Sequence, residues 1–251
     1  MTIRDVRRLL FLLTISAGAF IPRAAYAQAA APAPPPPPAH EGSAEFAAVT
    51  TTGNTSTRSL GLSGELIFRP PKWVYSTKGG FVQNTVDDAL AARSFFVTFR
   101  GSRELTKTIS AFGQAAYLKD RFSGIVNRTA VEGGISANWE KGRQSFSVDG
   151  TAGYAHEQRV IPPDLSNGVV GAGAHYKVKI SETSDFTEDL RYTQSLATGA
   201  DYRLNNLMAL TAKLNTLFSL KISNVIRFVN SPVPGFKKTD TVTSTALVAK
   251  F

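Results

Sequence analysis

The chain contains no cysteine, and this absence excludes a disulfide framework, a thiol nucleophile and a cysteine metal site. Metal-binding patterns such as HExxH, and acidic EF-hand loops, are also missing. Two glycine-containing segments, Gly133-Gly134 and Gly171-Ala172-Gly173, lie in strand-like stretches with no helix after them, so they are not phosphate-binding loops. We therefore predict no cofactor, no metal site and no enzymatic activity.

Long hydrophobic runs are missing as well. The single apolar run, Leu9–Ile21, spans about 13 residues, which is short of the ~18–20 that a transmembrane helix needs. It follows a basic start and precedes Ala25-Tyr26-Ala27, a typical cleavage site. We expect residues 1–27 to be a cleaved signal peptide for export rather than a membrane anchor.

Proline is concentrated in one place. Residues 28–42 include five consecutive prolines, which fit neither a helix nor a β-ladder, so this segment is predicted to be an extended periplasmic spacer. Composition favours a plain tether, and a proline-binding partner is the alternative. The remainder, residues 43–251, has the length of one all-β domain.

Acidic residues are fewer than basic ones, and the formal net charge is +9. Residues 1–27 hold four arginines and one aspartate, so the exported part carries +6. A basic protein can bind nucleic acid. Here the basic residues are spread thinly through strand-like segments without a basic helix or long basic run, so we expect no nucleic-acid partner.

The body alternates apolar and polar residues in segments of about 10–14 residues separated by turn signals, which is typical of β-strands. Prolines beyond the spacer all fall between these segments, as a sheet requires. Strands are predicted near 43–52, 57–69, 73–84, 93–104, 108–120, 128–140, 144–157, 168–180, 184–196, 203–214, 216–229 and 239–251.

Connection lengths also alternate. Short connections follow every second strand, and the others are longer, such as 86–92 and 160–167; the first hairpin, through Gly53-Asn54, is a tight exception. Short periplasmic turns and long external loops characterise outer-membrane barrels. We predict an all-β, transmembrane, antiparallel up-and-down β-barrel of about 12 strands in the bacterial outer membrane. The alternative is a soluble β-sandwich or lipocalin-like barrel, in which the apolar faces form a core. Twelve strands closing around such polar inner faces would leave the apolar residues facing water, which disfavours it.

Strand phase separates two faces. The apolar face carries aromatic residues near strand ends, as interfacial girdles do: Trp73, Tyr75, Trp139, Tyr154, Phe186, Phe228 and Phe251. Strand five is ambiguous, because Phe112 and Leu118 are out of phase with Ile109 and Tyr117.

The opposite face is charged and is predicted to line the lumen. Its basic residues are Lys78, Arg100, Arg128, Lys177, Lys179, Arg191, Arg203, Lys213, Lys221 and Arg227, and its acidic residues are Glu65, Glu132, Asp149, Glu157, Asp185 and Asp189. Such charges imply a hydrated lumen or a salt-bridge network. The basic excess favours small anionic solutes in an open path. Twelve strands leave both a narrow channel and a plugged barrel open as interpretations.

Four of these basic residues, Arg203, Lys213, Lys221 and Arg227, lie on adjacent predicted strands and suggest a basic track. An acidic cluster on strand nine contains Asp185, Asp189 and the out-of-phase Glu188, and pairing with Arg191 is expected rather than metal binding.

Several short motifs occur in an order that resembles a family of uncharacterised bacterial outer-membrane proteins described as salt-induced. They are Thr52-Gly53-Asn54-Thr55, Tyr117-Leu118-Lys119-Asp120-Arg121-Phe122, Arg128, Gly133-Gly134, and Gly150-Thr151-Ala152-Gly153-Tyr154 with Glu157. The resemblance spans most of residues 40–251, without the spacer, and implies an outer-membrane barrel with no established activity.

The last predicted strand, Thr239–Phe251, ends on an aromatic residue in phase with the apolar face. It is expected to pair with strand one and to put Phe251 at the periplasmic rim, against outer-membrane lipid. In the outer-membrane barrels that the chain resembles, such a residue is the signal read by the barrel assembly machinery.

The remaining chemistry is limited to three histidines: His40, His156 and His175. A lipid-modifying enzyme would need an outward serine–histidine pair with an orienting polar group. His156 is the only candidate base, and spacing ties no serine to it. The leading hypothesis is a narrow, anion-leaning channel. The alternatives are a closed barrel that supports the envelope under salt stress and, third, such an enzyme.

Overall fold

A computed structural model describes residues 37–51 and 57–251. The predicted signal peptide, most of the predicted spacer and the tight hairpin at Gly53-Asn54 lie outside these residues. The chain divides into the units Met1–Pro37 and Pro38–Phe251, and the second unit holds all the strands given below.

The second unit is built from twelve strands and one short 3-10 helix, Arg121–Ser123. The strands are β1 His40–Thr51, β2 Thr57–Phe68, β3 Trp73–Val86, β4 Ala89–Glu104, β5 Ile109–Asp120, β6 Ile125–Lys141, β7 Gln144–Arg159, β8 Leu165–Lys179, β9 Ser184–Ser195, β10 Tyr202–Lys213, β11 Phe218–Val229 and β12 Thr239–Lys250.

Each strand pairs antiparallel with its neighbours in sequence, and β1 pairs with β12, so the sheet closes into a barrel. The predicted all-β, twelve-stranded antiparallel barrel is therefore confirmed. Among the described residues, no helix is long and apolar enough to cross a membrane.

The closing seam lies where the two ends of the sheet meet. Ser43 pairs with Lys250, and Phe46 pairs with Leu247. Beyond β12, the Gly42 amide donates to the Phe251 carbonyl at 2.7 Å, and the Phe251 amide donates to the Gly42 carbonyl at 3.0 Å. A side chain at Gly42 would collide with the Phe251 ring. The terminal residue thus completes the β1–β12 ladder, with its ring over a glycine.

Four strands begin three or four residues before their predicted starts, namely β1, β4, β6 at Ile125 and β8 at Leu165. β4 begins at Ala89, so the loop expected over 86–92 is a two-residue turn. Asp87 and Asp88 both adopt positive φ, 48° and 60°, the conformation that lets two residues reverse a β-hairpin. β1 begins at His40, so residues 40–42, expected in the spacer, are strand.

The two ends of the barrel differ in their connections. We call one the long-loop end, which carries the connections 121–124, 160–164, 196–201 and 230–238 and the turn 87–88. The other is the short-turn end, with connections 69–72, 105–108, 142–143, 180–183 and 214–217.

The outer face is apolar and solvent-accessible. Val131 and Ile135 on β6 are 60% and 59% exposed, and Leu62, Phe99 and other large apolar side chains are also exposed. Aromatic rings stack along this face, including Trp139 with Phe146. This is the reverse of a water-soluble fold, which buries such residues in a core.

Candidate functional site

The inner face of the barrel is the polar one. The registers align Arg100 with Gln114, and Gln114 with Glu132, so these residues share a face. Side chains of this face also meet across non-adjacent strands, as Arg191 of β9 does with Glu132 of β6. Only the inside of a closed sheet permits such contacts. The same alternation puts each of the sixteen charged residues expected in the lumen on this face.

Arg191 is the centre of an ion network about half-way along the barrel. Its Nη2 lies 2.9 Å from Glu132 Oε2 and 3.2 Å from Thr151 Oγ1, and its Nη1 lies 3.4 Å from Asp149 Oδ1. The Gln114 amide donates to the same Glu132 oxygen. The carboxylates are buried, with side-chain exposures of 8% for Glu132 and 1% for Asp149. Two strands, β7 and β8, lie between β9 and β6, so this cluster spans part of the lumen.

Asp149 connects this network to a histidine. His175 Nε2 lies 3.5 Å from Asp149 Oδ2, and His175 Nδ1 lies 2.5 Å from Asp189 Oδ1. Arg100 Nη1 reaches Asp149 at 4.0 Å. Gly173, on the inner face of β8, makes room for the Asp149 carboxylate, because a Cβ there would collide with it. The histidine thus lies between two carboxylates and connects Asp189 to the Arg191 network.

Phe112 resolves the ambiguity in strand five. The Arg100 guanidinium lies over its ring, 3.4 Å from the centroid, and Phe112 is buried on the inner face. The aromatic residue is out of phase with the outer apolar face because it serves as a cation–π platform inside the barrel.

A second network lies toward the long-loop end, around Glu157. Its carboxylate, 3% exposed, contacts Arg203 at 2.7 Å, Arg159 at 2.8 Å and Arg128 at 3.4 Å. A cavity of about 20 Å³ beside them, with Asp201 in its wall, has room for about one water molecule. Three guanidinium groups around one buried carboxylate leave this region basic.

The long-loop end is narrowed by contacts between opposite walls. Arg227 of β11 lies 3.7 Å from Asp120 of β5, although these strands are six apart in a ring of twelve. Close by, Val233 of the 230–238 loop packs on Gly124 of the 121–124 connection, which has a φ of +82°. Side chains and loops thus cross the barrel at this end.

The short-turn end is more open. Lys177, Lys179 and Lys213 are exposed there and make no ion pair with any residue that the structure describes. Asp185, between them on β9, is likewise without an ion pair to the described residues. A cavity of about 730 Å³ lies at this end between the ends of β3–β6. Lys250, Glu104 and Glu140 are further exposed inner-face residues at this end without an ion pair to the described residues. Four lysines therefore face three carboxylates, and the unpaired charge at this end is slightly basic.

Two further ion pairs lie on the inner face, one between β11 and β1 and one between β3 and β2. Lys221 Nζ lies 2.7 Å from Glu45 Oε1, and Lys78 Nζ lies 3.7 Å from Glu65 Oε2. Of the four residues in the predicted basic track, Arg203, Lys221 and Arg227 are paired with carboxylates, and Lys213 has no ion pair to a described residue. The expectation of a continuous basic track was wrong, because partners from distant strands neutralise most of it.

The acidic residues of the predicted cluster on β9 point to different faces and have different partners. Asp189 binds His175, whereas Glu188 points outward, where Asn206 Nδ2 lies 3.5 Å from it. Arg191 pairs with Glu132 and Asp149 rather than with this cluster. No group of His, Asp or Glu that could hold a metal ion occurs among the described residues.

His156 has a partner that spacing did not reveal. The β7–β8 register pairs it with Ser166, whose Oγ lies 2.7 Å from His156 Nδ1. Both are on the outer face near the long-loop end. No other described side chain hydrogen-bonds this ring, so the orienting group of a catalytic triad is not part of the described residues.

Comparison with known sequences gives the family. The profile described as "Protein of unknown function, DUF481" matches residues 44–251, nearly the whole barrel unit. The chain belongs to this family. It is also 23% identical over 193 residues to the "Uncharacterized protein YdiY" of Escherichia coli (strain K12), covering 76% of this chain and 75% of that protein.

Solved structures agree on the fold. An outer membrane channel from Pseudomonas putida F1 superposes with a TM-score of 0.50 at 11% identity, covering 87% of this chain and 97% of the channel. A structure of the NanC porin gives a TM-score of 0.47 at 10% identity, covering 84% and 98%. At these identities the likeness concerns the barrel alone.

Proposed function

We propose that this member of the family is an integral outer-membrane barrel that acts as a narrow passive channel with a mild preference for anions. Its outer face supports the location, because side chains such as Val131 and Ile135 would face lipid rather than water. The closed ladder supports it too, since a barrel with no sheet edge satisfies its backbone groups within the membrane.

Orientation and partners follow from the same proposal. The short-turn end faces the periplasm, together with the start of β1 and the end of β12, and the signal peptide and spacer precede β1 there. Phe251, 72% exposed at the seam, is then at the periplasmic rim, in contact with lipid and available to the barrel assembly machinery.

The preference for anions rests on one observation, the imbalance of unpaired charge on the inner face. Buried carboxylates such as Glu132, Asp149 and Glu157 are neutralised by arginines. Near the short-turn end, the inner-face groups without an ion pair to the described residues are four lysines, Lys177, Lys179, Lys213 and Lys250, and three carboxylates, Asp185, Glu104 and Glu140. Fixed cations at a pore mouth raise the local concentration of anions and lower that of cations.

Planar-bilayer recording in a KCl gradient tests this proposal. The triple change Lys177→Gln, Lys179→Gln and Lys213→Gln is expected to lower the Cl⁻/K⁺ permeability ratio, because it removes three of the four unpaired lysines from the mouth. Lys119→Gln, on the outer face of β5, should leave the ratio unchanged. A ratio that is insensitive to the triple change would contradict the assignment of selectivity to these lysines.

A second candidate function is a closed barrel that supports the envelope at high salt. It is favoured by the contact between opposite walls, Arg227 with Asp120, and by the Arg191 network across the lumen. This function predicts a folded protein without conductance and poor growth of a deletion strain in high salt. Conductance steps from the folded barrel, with normal growth of the deletion strain, would remove it.

A further inference from the structure

The outer face of the barrel carries a group of polar residues at mid-height on one side. We call it the polar patch; it consists of Glu188, Asn206, Asn224, Thr241, Thr243 and Thr245 on β9 to β12. The registers bring these residues to one height: Glu188 and Asn224 lie on either side of Met208 on β10, with Asn206 two residues from Met208 on the same face, and Asn224 pairs with Thr243.

The other side of the barrel differs. There the outer positions of β2, β4 and β6 are large and apolar, including Leu62, Phe99, Val131 and Ile135. A barrel surrounded by lipid on every side would have no reason to differ in this way around its circumference.

The distance of the polar patch from both ends of the barrel would make it destabilising for a single barrel in a membrane. Glu188 and Asn206 each have four strand residues before them, and Asn224 has five after it. At ~3.3 Å per residue, four residues correspond to about 13 Å along the strand. If the barrel spans the outer membrane, as proposed above, these groups lie within the hydrocarbon, where an ionisable side chain is expensive and marks a functional site.

Hydrogen bonds within the polar patch do not satisfy it. The Asn224 amide donates to Thr243 Oγ1 at 2.8 Å, but the Asn206 amide reaches Glu188 only at 3.5 Å. Asn206 Oδ1 is buried without a hydrogen-bond partner among the described residues. That atom is closed to a partner, whereas the part-exposed Glu188 forms no ion pair with the described residues, so its carboxylate is an acceptor for which a partner could supply donors.

We propose that the polar patch is the contact surface for a second copy of this chain, related by a two-fold axis along the membrane normal. This inference rests on the proposed membrane location. A two-fold contact brings the same patch from both copies together, so the threonine hydroxyls of β12 in one copy can donate to the Glu188 carboxylate of the other. The three threonines of β12 are short, which lets the two sheets approach closely.

The lack of cysteine makes a direct test practical. Thr245→Cys places a single thiol in the polar patch, and Ala115→Cys places one at mid-strand on the outer face of β5, across the barrel from β11. After folding into phosphatidylcholine vesicles, a short bis-maleimide should link most of the Thr245→Cys protein into dimers and little of the Ala115→Cys protein. Equal, low linkage of both would overturn the proposal.

A second variant tests the polar groups themselves. The double change Glu188→Leu and Asn206→Leu makes the patch apolar like the rest of the outer face, so the barrel is expected to fold but to run as a monomer in light scattering after gentle detergent extraction. Heat-modifiable gel mobility verifies folding. A double variant as dimeric as the unchanged protein would overturn the role of these polar groups.

The result also separates this inference from the proposed function. Protein that inserts into vesicles and stays monomeric at all concentrations contradicts the contact surface alone. Protein that folds in water and never inserts contradicts the membrane location on which both depend.

Discussion

Replacing Arg191 by methionine keeps most of the bulk of the side chain and removes its charge. The change leaves two buried carboxylates, Glu132 and Asp149, without the guanidinium that contacts both. Removing one partner of a buried ion pair costs about 3–5 kcal/mol, because the other charge remains away from water.

Contacts that remain after the change favour a cost at the lower end of the range of about 3–5 kcal/mol. Glu132 keeps the amide of Gln114, and Asp149 keeps His175 at 3.5 Å. Each of these contacts stabilises the remaining negative charge in part. We therefore expect Arg191→Met to lower the free energy of unfolding by about 3 kcal/mol.

Urea unfolding of the vesicle-folded protein measures this quantity, with fluorescence from Trp73 and Trp139 as the signal. Both tryptophans lie on the outer face, so their emission changes when the barrel leaves the lipid. Lys177→Met is the matched control, because it removes an inner cation without an ion pair to the described residues, and it should stay within about 0.5 kcal/mol. A loss for Arg191→Met no larger than for this control would refute the reasoning.

Two further changes test the packing of the network and the seam. Gly173→Ala is expected to cost about 2 kcal/mol in the same titration, since the added methyl collides with the Asp149 carboxylate. Gly150→Ala, which meets open space, should stay within about 0.5 kcal/mol, and equal losses would contradict the close approach. Phe251→Ala is expected to lower the folded fraction in cells, as read from gel mobility with and without heating; an unchanged fraction would contradict its role at the seam.

The fold could be predicted from the sequence because period-2 alternation is strong in most segments. In β8, for example, Val170, Ala172 and Ala174 face outward while His175 and Lys177 face inward, as the alternation indicates. The largest boundary error, at the start of β4, has a local cause. Adjacent aspartates suggest a flexible loop, and only the backbone geometry shows that Asp87 and Asp88 form a tight turn.

The pairing inside the barrel could not be predicted in the same way. Alternation gives the face of Arg191 but not its partner, because Glu132 lies 59 residues earlier and three strands away. Barrel curvature and register decide which side chains meet. The sequence prediction of the inner face did not include Gln114 or Asp120. Gln114 carries no charge, and Asp120 is the last residue of its strand, so charge and alternation did not mark either as a partner of Glu132 or Arg227.

Single-channel recording of the unchanged protein, refolded into planar bilayers, tests the central claim most directly. The account predicts small, reproducible conductance steps and, in a KCl gradient, a reversal potential displaced toward that of Cl⁻. Folded, inserted protein that shows no steps, or a reversal potential displaced toward that of K⁺, would contradict it.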